Sequence, residues 1–293
     1  MPDATTILIH IFCLVDDFCK SCEVNTPRRG APYKLSDSEL MTLVLVQALF
    51  GIESERSFIR FMNRFFKGWF PLLDQSQYNR RIKSVRKKVE LFRRNVLSKM
   101  DIQTDLFIID SMPVPVMNPV RVRFSGSFPE MKFGHCATLK QNYYGGKLHV
   151  LITQHGIPIK FELTDSLVDD RDMLKELLDD CGFITIIGDK GYISEEIAKT
   201  MHTDQKILLI VPNRKNQKKT IPEAARMIYK KCRKMVETVF NQFTDHLSFK
   251  RCLAKTLNGL TTRILQKITA FTVGIYLNKL LGRKRLAIKS LLA

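Results

Sequence analysis

The sequence contains no apolar run that approaches the roughly 18 residues needed to cross a membrane as a helix. Its apolar segment at residues 7–14 has no basic residues ahead of it, and Asp16 and Asp17 interrupt it before any cleavage-like site, so it does not resemble a signal peptide. The seven cysteines are odd in number and lack the spacing of a disulfide framework. These absences favour a cytoplasmic protein in a reducing environment.

A second ligand pair for zinc is also missing. Cys19 and Cys22 form a single C-x-x-C pattern, and no second pair of cysteines or histidines follows at the usual spacing. We therefore predict ordinary thiols at these positions, with a zinc site as the less favoured alternative.

Acidic residues are scarce relative to basic ones. The chain of 293 residues has 29 aspartates and glutamates against 47 lysines and arginines, which gives a net charge of +18. Such a surplus favours a polyanionic partner, because neutralising phosphates releases their counterions. A basic surface without a binding partner is the simpler alternative.

The charge is unevenly distributed along the chain. Residues 1–100 carry a net charge of +7, residues 101–213 carry −5, and residues 214–293 carry +16. A basic beginning and end thus enclose an acidic middle. This pattern is expected if the middle gathers metal-binding carboxylates while the flanks hold a phosphate backbone.

The first hundred residues are predicted to form an all-α domain. Ser36 and Glu39 have the spacing of a capping box, and helices are predicted over residues 53–66 and 76–100. The second of these helices is strongly basic and amphipathic, so we interpret residues 1–100 as a helical DNA-binding domain of the helix-turn-helix type. The solvated face of a helical bundle is the alternative. The candidate DNA contacts here are Arg80, Arg81, Lys87 and Lys88.

From residue 101 onwards the pattern becomes α/β. Apolar runs at residues 106–111 and 184–188 predict buried strands, each of which leads into an aspartate. Further predicted elements are strands at 147–153, 157–163 and 207–211, a hairpin turn at 154–156, and helices at 170–181 and 194–201. A long helix is predicted after a capping box at Thr220 and Glu223, and a final basic helix at 260–281. The predicted second domain spans residues 101–293 and includes these basic C-terminal helices.

Two stretches of this second domain are predicted to lack regular pairing. Pro113 and Pro115 each lack a backbone N–H, so we predict a stiff crossing over the sheet edge there. Residues 121–146 are rich in Gly, Ser, Phe and basic residues, and we predict a loop for them.

Three carboxylates are the candidates for chemistry. Asp110 and Asp189 follow predicted strands, and Glu237 lies on the predicted long helix. Three such groups can bind two divalent cations, one activating the attacking oxygen and one stabilising the leaving oxygen in phosphoryl transfer. We expect the three carboxyl groups within about 4 to 8 Å of one another. The competing acids are Asp165, Asp169, Asp170 and Asp172, which we interpret as loop and helix-start residues.

With these residues in place, the sequence resembles the DDE transposases of bacterial insertion sequences. The matching segments are Ile108-Ile109-Asp110-Ser111, Tyr143-Tyr144-Gly145-Gly146-Lys147-Leu148-His149, Gly188-Asp189-Lys190-Gly191-Tyr192 and Arg233-Lys234-Met235-Val236-Glu237. The resemblance covers roughly residues 101–280. It implies a ribonuclease-H-like mixed-sheet catalytic domain after the helical one, with Asp110, Asp189 and Glu237 as the metal-binding catalytic triad.

The resemblance also implies the reaction and its partners. We expect cleavage of double-stranded DNA at the terminal inverted repeats of an element, followed by strand transfer into target DNA, with two Mg²⁺ ions per active site or Mn²⁺ instead. We expect a homodimer on DNA in the bacterial cytoplasm, associated with the nucleoid. Arg233 would orient Glu237 or touch a phosphate, whereas Tyr229 is one residue farther from Arg233 than in some relatives. Further candidate DNA contacts are Lys147, Lys190, Arg214 and Lys215.

Two other functions remain open from the sequence. A metal-dependent nuclease or resolvase on the same fold would cut DNA without joining it. A non-catalytic DNA-binding protein would keep the basic flanks, although the presence of all three carboxylates counts against it.

Overall fold

The computed structural model describes residues 4–22, 33–71, 74–136, 140–212, 223–251 and 253–291. The chain divides into two compact units. The helical unit comprises residues 1–101, 245–248 and 253–293, and the sheet unit comprises residues 102–244 and 249–252.

In the described part of the chain, five helices come first, and a mixed α/β stretch that ends in two long helices follows them. The α-helices are α1 Ala4–Ser21, α2 Asp37–Leu49, α3 Glu55–Phe65, α4 Gln75–Ser84, α5 Arg86–Ser98, α6 Asp170–Leu178, α7 Glu195–Gln205, α8 Glu223–Asp245 and α9 Leu257–Leu280. The strands are β1 Leu106–Met117, β2 Lys132–Cys136, β3 Gln141–Thr153, β4 Pro158–Asp165, β5 Thr185–Ile187 and β6 Leu208–Ile210.

The helical unit contains α1 to α5 and α9. The capping box predicted at the start of α2 is confirmed, because the Ser36 hydroxyl accepts from the Glu39 N–H and the Glu39 carboxylate accepts from the Ser36 N–H. Helix α9 packs against α2 and α5 and is buried along most of its length. Residues 253–293, which the sequence analysis groups with the catalytic domain, therefore cluster with the helical unit.

The basic segment 76–100 forms two helices, so the prediction of one continuous helix is wrong. Val85 ends α4 and precedes α5, with φ −91° and ψ 2°, outside the α-helical region. Its side chain is buried in the helical unit. A buried side chain at the junction fixes this bend, and no proline or glycine marks it in the sequence.

The sheet unit is built on one mixed sheet. Strand β3 lies antiparallel between β1 and β4, whereas β5 and β6 run parallel to β1 on its other side. The order β4-β3-β1-β5-β6, with β2 pairing the first part of β3, is that of a ribonuclease-H-like fold. The α/β prediction is confirmed.

The hairpin between β3 and β4 is also confirmed. It turns through residues 154–156, where Gly156 has φ +81°. This left-handed conformation is one that glycine adopts without steric cost.

The prediction of a loop over residues 121–146 is wrong, because β2 and the first part of β3 lie within it. Glycine is depleted in strands, so Gly145 and Gly146 favoured a loop in the sequence. In the structure the missing side chain is what permits pairing: a Cβ at Gly145 would lie 2.2 Å from the Val114 carbonyl oxygen.

Strand β1 continues through Pro113 and Pro115, so the predicted break in pairing is also wrong. Both prolines pair with β3, opposite Lys147 and Gly145. Strand β5 pairs with β1 only at Leu106–Ile108 among the described residues, so the later part of β1 has an open edge. Backbone N–H groups two residues apart point to the same side of a strand, so the nitrogens of Pro113 and Pro115 point the same way. If they face the open edge, no hydrogen bond to β3 is lost by the absence of their N–H groups.

A hydrophobic cluster joins the sheet to α6 and α7. Its centre is formed by Ile109 of β1, Leu151 of β3, Leu174 of α6, Ile186 of β5 and Met201 of α7. Because Ile109 immediately precedes Asp110, this packing fixes the position of the Asp110 carboxylate on β1.

Substitution of Gly145 tests the close pairing of β1 with β3. We expect Gly145→Ala to lower the free energy of unfolding by about 1 to 3 kcal/mol, since the new methyl group would force the two backbones apart. Chemical denaturation measures this change. Gly126→Ala is the matched control, because no atom lies within 4 Å of its added Cβ. Equal stability of the two variants would contradict this description of the sheet.

Candidate active site

Asp110 and Asp189 occupy equivalent positions on neighbouring parallel strands. Ile108 of β1 pairs with Ile187 of β5, and each aspartate follows two residues later. Residues two apart on a strand share a face, and neighbouring strands lie about 4.8 Å apart. The two carboxylates therefore meet at the carboxyl end of the parallel part of the sheet.

Arg233 of α8 binds the first of these carboxylates. Its Nη1 lies 2.7 Å from Asp110 Oδ2, and the Ser111 N–H donates to Asp110 Oδ1 at 2.9 Å. Burial raises the pKa of Asp110 to about 6. Arg233 and the Ser111 N–H favour the ionised form, whereas the negative charge of Asp189 favours the protonated form.

One face of α8 carries three polar residues one turn apart. Tyr229 precedes Arg233 by four residues, and Glu237 follows it by four. Burial raises the pKa of Tyr229 to about 12, and the Asp189 carboxylate beside it acts in the same direction. Tyr229 thus faces Asp189 and Arg233 faces Asp110. No role is predicted for Tyr229 from the sequence, although its i, i+4 spacing from Arg233 indicates the shared face.

Glu237 extends this row by one more turn, about 6 Å along the helix from Arg233. Its side chain is exposed. Within the described residues, no group of three or more His, Cys, Asp or Glu side chains is arranged to hold a metal ion. The three carboxylates therefore do not form the expected metal-binding cluster among the described residues. Asp110 instead forms an ion pair with Arg233.

The chemistry of the donors nevertheless fits a hard divalent cation. Asp110 supplies a carboxylate from within β1 and Asp189 supplies one just after β5, and the negative charge of Asp189 contributes to the raised pKa of Asp110. Carboxylate oxygens are the ligands that Mg²⁺ prefers.

A second polar cluster lies around Asp170, the first residue of α6. Lys147 Nζ donates to Asp170 Oδ1 at 3.0 Å, and the Ser111 hydroxyl donates to the same oxygen at 3.4 Å. His149 Nδ1 lies 3.7 Å from it. Burial lowers the pKa of His149 to about 4, so the imidazole is neutral near pH 7. This cluster adjoins Asp110 through Ser111, whereas the sequence predicts Asp170 only as a helix-start residue.

Three of the four competing acids lie at the start of α6, as predicted, whereas Asp165 belongs to strand β4 and not to a loop. Asp165 ends β4, Asp169 caps α6 by accepting from the Arg171 N–H, and Asp170 and Asp172 lie in the first turn of α6. Carboxylates at a helix start are favoured by the helix dipole.

Some of the candidate DNA contacts are exposed to solvent, whereas others form ion pairs with carboxylates of the chain itself. Lys190, Arg80 and Lys87 are exposed. Lys147 is held by Asp170, whereas Arg81 and Lys88 both bind Asp37, and Arg81 is buried. Arg214 and Lys215, together with the cap predicted at Thr220, lie outside the described residues.

The cysteine pair near the N-terminus has no metal-binding surroundings in the described part of the chain. Cys22 is exposed, and burial raises the pKa of Cys19 to about 11. A raised pKa disfavours the thiolate that zinc requires. Among the described helices, none is long and apolar enough to span a membrane.

Comparisons with known proteins assign most of the sheet unit to a family. A family model described as a transposase DDE domain matches residues 100–255, more than half of the chain. A solved structure, the Mos1 transposase paired-end complex with left transposon end, is 10% identical over 82% of this chain and 86% of that chain. Its TM-score is 0.23, so the fold assignment rests on the strand order described above. No curated protein is significantly similar to the chain.

The raised pKa of Asp110 predicts a pH dependence of stability. Because its folded-state pKa of about 6 exceeds the ordinary value of 3.8, the stabilisation by protonation is fully present below pH 4 and is lost as pH rises through 6. The free energy of unfolding should fall by up to about 1.4 kcal/mol per pH unit in this window. Denaturation of Asp110→Asn should lack this slope; the same slope in both proteins would contradict the assignment.

Proposed function

The chain belongs to the transposase DDE domain family, and from this premise we propose that it is a DNA transposase that cleaves strands at the ends of its element and joins them to target DNA. The observation that carries the proposal is the side-by-side placement of Asp110 and Asp189 beneath Arg233. The same residues lie within the matched segment.

We propose Asp110, Asp189 and Glu237 as the ligands of two Mg²⁺ ions, with Mn²⁺ as a substitute. When bound, these ions would activate the attacking oxygen and stabilise the leaving oxygen in an in-line displacement at phosphorus. The chain itself holds Asp110 and Asp189 rigidly, because Ile109 and Ile186 anchor their strands in the core. Strands that are anchored in this way hold the carboxylates in a fixed geometry, so the chain would rearrange little when a cation binds.

Arg233 supplies a positive charge next to the Asp110 carboxylate. Its guanidinium favours the ionised form of Asp110, which is the form that coordinates a cation, and so opposes the rise in pKa that burial causes. We further propose that it contacts a DNA phosphate, for which its planar donor set is suited.

DNA would be held mainly by exposed cations. Lys190 follows Asp189 directly and is exposed, and Arg80 and Lys87 are exposed on the helical unit. The net charge of +18 supports binding to double-stranded DNA at element ends and target. A homodimer on DNA, and a bacterial insertion sequence as the source element, follow from the family resemblance and are part of the proposal.

A nuclease or resolvase with the same site is the second candidate. It would use the same carboxylates and cations to cut DNA, and only the joining reaction separates the two functions. The donor set itself is equally suited to water or to a 3′-hydroxyl as the attacking group.

The test incubates purified protein and Mg²⁺ with DNA that carries the element ends. We expect cleavage and strand transfer by the wild type, and a loss of more than about 100-fold in rate for Asp110→Asn, Asp189→Asn and Glu237→Gln, since each removes a proposed ligand. Asp172→Asn, an exposed acid on α6, is the control and should retain activity.

Different results discriminate between the candidates. Cleavage without joining would favour the nuclease. Full activity of any triad variant would remove that residue from the site, and DNA binding without Mg²⁺-dependent cleavage would favour a non-catalytic protein.

A further inference from the structure

Asp170 is a partly buried carboxylate to which the proposed catalysis gives no role. It is the first residue of α6, and its side chain exposes 24% of its surface. Lys147 of β3 balances its charge, with Nζ 3.0 Å from Asp170 Oδ1. The N-cap of α6 is Asp169, whose carboxylate accepts from the Arg171 N–H, so capping of the helix does not account for Asp170.

One oxygen of Asp170 contacts the strand that carries Asp110. The Ser111 hydroxyl donates to Asp170 Oδ1 at 3.4 Å, a long hydrogen bond beside the shorter one from Lys147. The Ser111 N–H donates to Asp110 Oδ1 at 2.9 Å. Ser111 therefore contacts both carboxylates, and a change in its position would move the Asp110 carboxylate with it.

The other oxygen of Asp170 lies against the turn that follows Asp189. This turn is the short 3₁₀ helix Lys190–Tyr192. A Cβ on Gly191 would lie 2.8 Å from Asp170 Oδ2, so only glycine fits here without displacing the carboxylate. Tyr192 is 1% exposed and belongs to the same hydrophobic cluster as the buried leucines of α6, so core packing holds the turn against this helix.

We propose that Asp170 is a positioning residue for the cation site formed by Asp110 and Asp189. Its two oxygens contact the two chain segments that carry these ligands, one at Ser111 and the other at Gly191. Asp170 thus limits how far the two ligands can separate, without touching the ion itself. Groups that orient metal ligands in this way commonly tune metal affinity. The inference rests on the proposed function, because it needs a cation at this pair of carboxylates.

Mn²⁺ titration of the full-length protein, followed by the electron paramagnetic resonance of free Mn²⁺, provides the test. We expect Asp170→Ala to weaken Mn²⁺ binding about tenfold or more, as loss of a group that orients metal ligands does. Asp170→Asn removes the charge but keeps an oxygen that can accept from Ser111 and Lys147, so it should bind Mn²⁺ more tightly than Asp170→Ala. Asp172→Ala removes an exposed carboxylate from the same helix turn and is the matched control, with the affinity of the wild type.

Gly191→Ala tests the same contact without changing any charge. Its methyl group would displace the Asp170 carboxylate, so we expect weaker Mn²⁺ binding than in the wild type. In Asp170→Ala the obstructing oxygen is gone, and the Cβ that the alanine keeps is 3.8 Å away, an ordinary contact. Gly191→Ala should then cause no further loss, so the two substitutions should be non-additive. Circular dichroism and thermal unfolding without Mn²⁺ check the fold of each variant.

The results distinguish failure of this inference from failure of the proposed function. No Mn²⁺ binding by the wild type, or binding that Asp110→Asn leaves unchanged, would overturn the cation site and this inference with it. Binding that depends on Asp110 but is equal in the wild type, Asp170→Ala and Gly191→Ala would overturn the positioning role alone. Equal weakening by Asp170→Asn and Asp170→Ala would assign the effect to charge and would also overturn it. If Asp170→Ala does not fold, unchanged Mn²⁺ affinity of Gly191→Ala overturns the role.

Discussion

The structure of the sheet unit depends on the cost of burying one carboxylate. Asp110 lies within the central strand β1, two residues past the last residue that pairs with β5, and its charge there loses most of its hydration. A buried carboxylate persists only with compensating partners. The Ser111 N–H provides one, and Arg233 provides the other from a helix more than a hundred residues later in the chain. The ion pair and the buried Val236, Val239 and Phe243 of α8 together orient this helix, and its orientation places Tyr229 beside Asp189 and leaves Glu237 exposed.

Local signals made much of this arrangement predictable from the sequence. The apolar runs that lead into Asp110 and Asp189 correctly indicated strands, and their equivalent register follows from the parallel pairing. The capping box at Ser36 and the turn at Gly156 were equally local and are confirmed. Such features depend on neighbouring residues, so the sequence alone carries them.

The features that the sequence did not predict depend on distant partners. In the sequence Gly145 indicates a loop, and only the structure shows that it lies against the Val114 backbone of a paired strand. Likewise, Pro115 indicates the end of a strand, and only the structure shows that it lies where β1 has an open edge. The same limit applies to charge. Arg81 and Arg80 are neighbours in the sequence, yet Arg81 is buried against Asp37 and Arg80 is exposed. Composition gives the total charge, whereas packing decides which cations remain available to DNA.

The most direct test of the proposed metal site is a crystal structure of the protein with Mn²⁺, in which anomalous scattering locates the ions. The account predicts Mn²⁺ within about 2.0 to 2.6 Å of carboxylate oxygens of Asp110 and Asp189, with Glu237 turned inward to complete the set. Mn²⁺ bound elsewhere, with Arg233 still on Asp110 and Glu237 still facing solvent, would contradict it.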